Sequence, residues 1–367
     1  MTVDAAQDAA QERIPAPVFG DVGGRRRFGR DPVQSFAMTF LMVALIAGFL
    51  SPLLHSLSIS VKTPQQITQT RAPIWPADPA TYEFEGRDYD VYQVPIDGEM
   101  RELALVRPGR TQSEFVDPAR PEEGRITWQG SWRRLEPAWV FNPRLENYSD
   151  VFDLIRYPRL LLNTVLIAAI GVVGTLVSCT LVAYGFARFR FPGRNMLFML
   201  MISTIFLPAA VTLIPTYMIF VKLGWVGTWL PLLIPTFLAN AYDVFLLRQF
   251  LLTIPRELDE AAAIDGAGPL RTLVSVILPQ AWPAIIAVGI FHFVYSWNDF
   301  FGPLIYLSTN RDLWTISLGL NQFNGVYFSN PGYVQAGTMM TLVFPVILFL
   351  IFQRFFTRGI VITGVEK

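Results

Sequence analysis

From Ile254 to Pro279 the chain reads IPRELDEAAAIDGAGPLRTLVSVILP, a polar segment between two long apolar stretches. Pro255 suits the start of a helix, where its missing N–H would be unpaired in any case. The acidic residues that follow suit the helix dipole, and the alanines propagate a helix without loss of side-chain entropy. Gly266 and Gly268 can adopt positive φ and end it. The pattern predicts a short helix that stops inside this segment.

The second half of the segment predicts another helix. Pro269 can begin it, and Pro279 is expected to end or kink it after Leu278 because proline lacks a backbone donor. The two halves would form a compact helix–turn–helix with a face of small residues. Another protein's backbone could approach such a face closely. An ordinary cytoplasmic helical loop is the alternative, and the motif described next disfavours it.

The spacing within this segment is similar to that of a known motif. Glu260–Ala262, then Gly266, then Leu278–Pro279 resembles the EAA loop in membrane subunits of binding-protein-dependent ABC importers. That family has isoleucine where this chain has Val276, a mild exchange of β-branched residues. The flanking residues 247–250 (LRQF) and 264–267 (IDGA) resemble its carbohydrate branch, typified by the smaller permease subunit of the maltose importer.

The resemblance covers Asn142 to the C-terminus and, more loosely, the first apolar stretch. In that family the loop docks in a cleft of the ATP-hydrolysing subunit. The resemblance therefore implies the following ATPase-coupling residues: Glu260, Ala261, Ala262, Asp265, Gly266, Val276, Leu278 and Pro279. It also implies a second homologous permease, a dimer of ATP-binding cassette ATPases, an extracytoplasmic solute-binding protein and a small solute, with a sugar favoured.

Composition indicates a membrane protein. Of 367 residues, 52% are hydrophobic and only 16% are charged, whereas a soluble protein carries about 25% charge. A net charge of zero gives no reason to expect a nucleic-acid partner. Cys179 is the single cysteine, and His55 and His292 are the only histidines. These counts exclude a disulfide within the chain and a multi-histidine metal site, and no cofactor is expected.

Six stretches have about the 20 mostly apolar residues that a transmembrane helix needs. They are Phe36–Leu54, Leu160–Phe186, Met196–Phe220, Trp229–Leu247, Ala284–Leu307 and Val334–Phe356. Arginines before the first stretch, between the second and third, between the fourth and fifth, and after the sixth all fall on one side. The positive-inside rule then predicts a multi-pass protein of the cell inner membrane with both termini cytoplasmic.

These stretches divide the chain into predicted parts. Residues 1–35 form a disordered cytoplasmic tail, 36–57 the first, uncleaved transmembrane helix, and 58–150 an extracytoplasmic insert. Residues 151–358 form a five-helix permease core that includes the cytoplasmic coupling loop 251–283, and residues 359–367 form a cytoplasmic tail. The predicted fold is thus an all-α integral membrane protein with a small β-rich insert after the first of six helices, and the resemblance implies that it is of the type I ABC importer permease class.

The insert is rich in charge and proline. Alternating apolar residues in 82–85, 90–94 and 101–106, with turns at Gly86 and Gly98, predict β-hairpins, and Ile126 and Trp128 indicate another strand. Four tryptophans could fill its core or line a surface, and core filling is the favoured interpretation. They are Trp75, Trp128, Trp132 and Trp139.

Two carboxylates fall inside predicted spans, where a charge is costly. Asp243 lies towards the cytoplasmic end of the fourth span and Asp299 midway along the fifth. Packing is the favoured role for Asp243. For Asp299 and its neighbour Asn298, packing and lining of a solute path are equally weighted; helical spacing then puts Tyr295, Asn298 and Asp299 on one lining face, with Trp297 pointing elsewhere.

Catalytic motifs are missing from the sequence. A P-loop needs Gly-Lys-Ser/Thr, and none of the three lysines follows a glycine. If transport is ATP-driven, another chain must therefore hydrolyse the ATP. The resemblance to importer permeases then implies a non-catalytic permease subunit of an ATP-driven importer. The alternative is a proton-coupled secondary transporter that uses Asp243 or Asp299 as a relay. A membrane enzyme has no nucleophile–base pair or metal cluster to support it.

Overall fold

The computed structural model describes residues 32–96, 98–325 and 329–359. Most of the predicted N-terminal tail and nearly all of the C-terminal tail lie outside these residues, but residues 32–35 already belong to the first helix. Among the described residues the helices run in this order: α1 Pro32–Ser60, α2 Pro64–Thr68, α3 Glu146–Leu154, α4 Tyr157–Arg188, α5 Arg194–Ser203, α6 Ala209–Lys222, α7 Leu230–Leu233, α8 Ala241–Thr253, α9 Glu257–Ile264, α10 Pro269–Thr272, α11 Leu278–Asn298, α12 Phe301–Leu307, α13 Ile316–Leu320 and α14 Pro331–Gly359.

Five of the described helical segments are long and apolar enough to cross a membrane, and a bent pair of helices makes a possible sixth. The five are Val33–Ser60, Tyr157–Arg188, Leu230–Thr253, Pro269–Asn298 and Pro331–Gln353. The pair, α5 and α6, was predicted as one continuous span but is broken at Leu207–Pro208. Proline removes a backbone donor and disfavours helical geometry in the residue before it, which explains the break.

The described residues fall into two units, one ending at Pro52 and the other beginning at Leu53. The first contains most of α1. In the second, α4 runs through the centre and packs on α8, α11 and α13. One apolar cluster joins α4, α8 and α11 around Cys179, Leu247 and Ile277, and another joins α3, α4, α11, α13 and α14 around Leu160 and Trp297.

Three small residues on α4, namely Gly171, Gly174 and Ser178, permit close packing. A Cβ added at Gly171 would meet the His292 imidazole, and one at Gly174 would meet Thr236 and Phe237. Ser178 Oγ donates a hydrogen bond to the Thr236 carbonyl oxygen, 3.0 Å away. These small residues therefore allow neighbouring segments of the same chain to pack closely against α4.

The predicted fourth span is also interrupted. After α7, a 3₁₀ turn at Ile234–Leu238 leads to Ala239, whose φ of 56° lies in the left-handed region. Asn240 then caps α8, because its Oδ1 accepts a hydrogen bond from the Asp243 N–H at 2.8 Å. Pro231 and Pro235 lie in the irregular half, where a regular helix would be hard to continue.

Pro279 was expected to end or kink a helix, but the helical stretch does not end there. Residues Leu273–Ile277 form a π-helical turn, and α10, this turn and α11 make one helical stretch from Pro269 to Asn298. The wider turn lies directly before Pro279, where an α-helical hydrogen bond would be lost. The predicted fifth span, Ala284–Leu307, is instead broken at Asp299, between α11 and α12.

Among its described residues, the insert between α1 and α4 contains eight strands, and the hairpins predicted from the alternating pattern are present. The strands are β1 Ala77–Pro79, β2 Thr81–Phe84, β3 Arg87–Ile96, β4 Glu99–Arg107, β5 Gln112–Val116, β6 Arg125–Gln129, β7 Glu136–Pro137 and β8 Trp139–Phe141. Strands β2 to β6 follow one another in an antiparallel meander, β7 joins β3, and β1 pairs with β8. Gly86 and Gly98 have φ values of 77° and 86° at the two hairpin turns.

The tryptophans of the insert divide between core and surface. Trp128 and Trp132 pack on the cluster of Val94, Leu103 and Phe115 that lies on the sheet. Core filling is therefore right for these two. Trp75 is 58% exposed, and for that residue the favoured interpretation is wrong.

Candidate functional site

The segment between α8 and α11, residues 254–272, is here called the interhelical segment. Its helix α9 ends in a Schellman motif: the Gly266 N–H donates to the Ala263 carbonyl at 3.0 Å, and the Ala267 N–H to the Ala262 carbonyl at 2.9 Å. Gly266 has φ of 75°, as the sequence predicts. Gly268 has φ of −71° and instead precedes α10, so its expected left-handed conformation is wrong.

The interhelical segment is fastened to the end of α4. Arg188 Nη2 donates a hydrogen bond to the Ile254 carbonyl at 3.0 Å, and the Tyr184 hydroxyl donates to the Pro269 carbonyl at 3.3 Å. Arg188 Nε lies 3.2 Å from Asp259 Oδ2, with the arginine side chain 7% exposed. This contact is an ion pair whose atoms are not aligned for a hydrogen bond. Three contacts thus hold both ends and the middle of the segment on α4.

The predicted coupling residues lie in two layers. Exposed are Glu260, Ala261, Asp265, Gly266 and Pro279, whereas Ala262 is buried and Val276 and Leu278 pack partly buried on the α4–α8–α11 cluster. Ile264 is 88% exposed and Leu270 is 68% exposed. One layer therefore attaches the segment, and the other presents acidic and apolar side chains outward.

A groove of about 400 Å³ lies beside the ion pair. Arg188, Arg256, Asp259 and Glu260 border it, together with aromatic and small residues. The groove is open to a partner, and it carries both signs of charge. A complementary protein surface with a polar side chain could occupy it.

A second concave feature of about 670 Å³ lies among α4, α8, α11 and α12. Its lining residues are Thr175, Pro231, Leu232, Pro235, Thr236, Asn240, Tyr242, Asp243, Phe291, His292, Tyr295, Asp299, Phe301, Gly302 and Tyr306. A mostly apolar wall with a few convergent polar groups is typical of small-molecule sites. We call it the membrane cavity.

The polar groups of the membrane cavity are linked to one another. Thr175 Oγ1 on α4 forms a 3.0 Å hydrogen bond with His292 Nδ1 on α11. Asn240 Nδ2 donates to Asp243 Oδ2, and Asp243 is only 6% exposed. Asn240, Thr175 and His292 were not predicted as site residues. The signal for His292 was a polar side chain inside a predicted span.

The predicted solute-path residues separate at the end of α11. Tyr295 and Asp299 border the cavity, whereas Asn298 does not, and its Nδ2 donates to the Val294 carbonyl of its own helix at 2.8 Å. Trp297 points elsewhere, as expected, and stacks on Phe344 with a centroid distance of 4.9 Å.

Asp299 is not a mid-helix residue, although it borders the same cavity as Tyr295. It follows the last residue of α11, and its Oδ1 accepts a hydrogen bond from the Gly302 N–H at 3.0 Å. Its backbone carbonyl accepts another from Ser317 Oγ at 2.7 Å. Asp299 thus caps α12 while its side chain borders the cavity.

Apolar helices around a mostly apolar cavity with a few polar groups, and an exposed segment fastened between two of them, indicate a multi-pass membrane transport protein. Residues 174–361 match the family described as binding-protein-dependent transport system inner membrane component. The chain belongs to this family and is a permease subunit. Membership confirms the predicted resemblance to importer permeases, and it confirms that the chain is a non-catalytic component.

Several relatives match most of their own length. The chain is 32% identical to the osmoprotective compounds uptake permease protein GgtD of Synechocystis over 75% of this chain and 93% of that one. It is 35% identical to the arabinooligosaccharides transport system permease protein AraQ of Halalkalibacterium halodurans, over 62% and 82%. It is 36% identical to the sn-glycerol-3-phosphate transport system permease protein UgpE of Rhizobium meliloti, over 59% and 80%.

A solved structure has the same fold. A chain from the crystal structure of a bacterial ABC transporter, involved in import of the acidic polysaccharide alginate, superposes with a TM-score of 0.61. The match covers 89% of this chain and 98% of that one, at 20% identity. The likeness supports the type I importer permease fold.

Proposed function

We propose that this chain is one of two permease subunits in an ATP-driven importer of a sugar or related solute. Its partners would be a homologous permease, an ATPase dimer and an extracytoplasmic solute-binding protein. The names of the relatives support the solute class, since they include arabinooligosaccharides and osmoprotective compounds. The proposal includes six spans, with the bent pair α5–α6 as the third, and cytoplasmic termini.

The observation that carries this proposal is the outward layer of the interhelical segment. Glu260 and the apolar Ile264 and Leu270 are exposed, while the base of the segment is fixed by Arg188 and Tyr184. An ATPase that binds the outer layer would move a segment that is rigidly attached to α4. Solute would pass through the membrane cavity, with Tyr295 and Asp299 along the path.

Helix α4 connects the two sites. Thr175 borders the cavity and Arg188 holds the interhelical segment. Thirteen residues separate them, which is about 20 Å at the rise of an α-helix. A displacement of the segment is therefore expected to reach the Thr175–His292 hydrogen bond through a single rigid element.

The test uses the assembled importer in proteoliposomes. With ATP inside, uptake of a sugar panel is expected only when ATPase and binding protein are both present. Glu260→Ala is expected to lower uptake by about tenfold or more, because truncating one partner of a buried interfacial charge pair costs about 2 kcal/mol or more. Glu257→Ala is the matched control, since Glu257 is an exposed acid on the same helix outside the motif.

Two results would contradict the proposal. Uptake at wild-type rate by the assembled Glu260→Ala complex would remove the coupling role. ATP-independent uptake driven by a proton gradient, and lost in Asp243→Asn, would favour the secondary transporter instead. That alternative rests on the placement of Asp243 beside the cavity.

A further inference from the structure

The base of the insert exposes large apolar side chains that its own core does not use. Ile74 is 84% exposed, Trp75 58%, Phe141 67% and Leu145 64%. The sheet is packed without them, around Val94, Leu103 and Phe115 on one side and Val91 and Ala104 on the other. We call these four residues the apolar rim. An exposed group of large apolar side chains indicates a contact with something outside the sheet, such as a protein or a membrane.

Hydrogen bonds fix the apolar rim beside the last turn of α1. Ser58 Oγ donates to the Ile74 carbonyl at 3.0 Å. The Arg144 N–H, next to Leu145, donates to the Val61 carbonyl at 2.9 Å. The side chain of Asn147 donates to the Ser60 carbonyl at 2.8 Å. The rim is therefore level with the point at which the apolar helix α1 ends.

The two aromatic residues of the rim lie on the ribbon of β1 and β8 and in the bend that precedes it. Phe141 pairs with Ala77, and the Asn142 N–H donates to the Pro76 carbonyl at 3.2 Å. Trp75 lies in a bend two residues before β1. Gln66 Nε2 donates to the Trp75 carbonyl at 2.7 Å, which fixes this end of the ribbon.

We propose that the apolar rim rests in the interfacial layer of the lipid bilayer and fixes the orientation of the insert on the membrane surface. The position is that of the boundary between apolar span and water, where tryptophan and other amphipathic rings are enriched. Exposed Arg71 and Arg144 flank the rim, and Arg71 pairs with Glu136 at 3.4 Å. Arg144 can reach lipid phosphates while the apolar side chains contact acyl chains. The contact is independent of the solute that the importer carries.

The test measures lipid contact directly in the complete complex. Single cysteines are introduced as Trp75→Cys and Phe141→Cys in a Cys179→Ser background, labelled with bimane and placed in nanodiscs with brominated or ordinary phosphatidylcholine. Met100→Cys is the matched control, because Met100 is 63% exposed at the far hairpin of β3 and β4. Brominated lipid is expected to quench the two rim labels roughly twofold more than the control label, as interfacial burial requires.

Equal quenching at all three positions would overturn the proposal. Rim labels shielded from water but not quenched by brominated lipid would also overturn it, and would assign the rim to the partner permease or the binding protein. The readout is quenching and not uptake. A negative quenching result therefore does not affect the proposed transport function, and a loss of transport does not affect the quenching result.

Discussion

The sites at the two ends of α11, the interhelical segment and the membrane cavity, differ in how the chain assembles them. Before α11, the interhelical segment forms its turn from contacts between near neighbours, with Gly266 as the left-handed residue and Ala262 and Ala263 as acceptors. Towards the other end of α11, the membrane cavity draws its polar groups from α4, α8, α11, α12 and the turns beside them. The first site is a local motif presented outward, and the second is a tertiary arrangement. Substitutions at the two sites should therefore impair different properties of the importer.

The largest effect is expected at the turn. Gly266→Leu should lower ATP-driven uptake by about tenfold or more, since an L-residue in left-handed geometry costs about 1 to 2 kcal/mol and reshapes the docking layer. Gly268→Leu is the matched control, because Gly268 has φ of −71° and a Cβ there would meet nothing within 4 Å. Uptake by a normally assembled Gly266→Leu complex at the rate of the wild type and of Gly268→Leu would show that the left-handed turn does not contribute to uptake.

A smaller effect is expected at the membrane cavity. Tyr295→Ala should raise the solute KM by about three- to tenfold, by removal of an aromatic contact worth about 1 kcal/mol, while ATP hydrolysed per solute stays unchanged. Asn298→Ala should leave KM near wild type, because Asn298 bonds to its own helix and does not border the cavity. Initial uptake rates against solute concentration check both. If Asn298→Ala raises the solute KM more than Tyr295→Ala does, Asn298 contacts the solute and belongs to the lining face.

The smallest effect is expected at Asp299. Asp299→Ala should lower stability by about 1 kcal/mol through loss of the cap on α12, visible as a lower unfolding temperature of the detergent-solubilised complex. Asp299→Asn keeps an acceptor oxygen for the Gly302 N–H and should unfold near the wild-type temperature. If the two variants unfold alike, the carboxylate does not act as a cap.

The contrast between the two sites explains what the sequence could predict. Gly266, Pro269 and the hairpin glycines Gly86 and Gly98 follow from backbone rules that depend on neighbouring residues. The breaks at Ala239 and Asp299 do not, because membrane helices tolerate proline and occasional polar residues, so Pro231, Pro235 and Asp299 do not by themselves fix where a helix stops. The π-helical turn before Pro279 likewise preserves a helix that local rules would end.

The cavity was only partly predictable for the same reason. Asp243 and Asp299 were visible as carboxylates in apolar stretches, but their shared cavity depends on the fold. Thr175 and Asn240 carried no signal of their own, since hydroxyl and amide side chains are common in packed helices. The attachment of Asp259 to Arg188 joins residues that are far apart in sequence, and no spacing rule connects them.

The central claim is that the interhelical segment moves with α4 through the Arg188–Asp259 ion pair. The direct measurement is solute taken up per ATP hydrolysed by the reconstituted importer carrying Arg188→Asp, Asp259→Arg or both. Each single variant is expected to lower this ratio by about tenfold, as breaking a buried pair costs several kcal/mol, while the double variant recovers part of it. A wild-type ratio in the single variants, or a double variant no better than either, would contradict the claim.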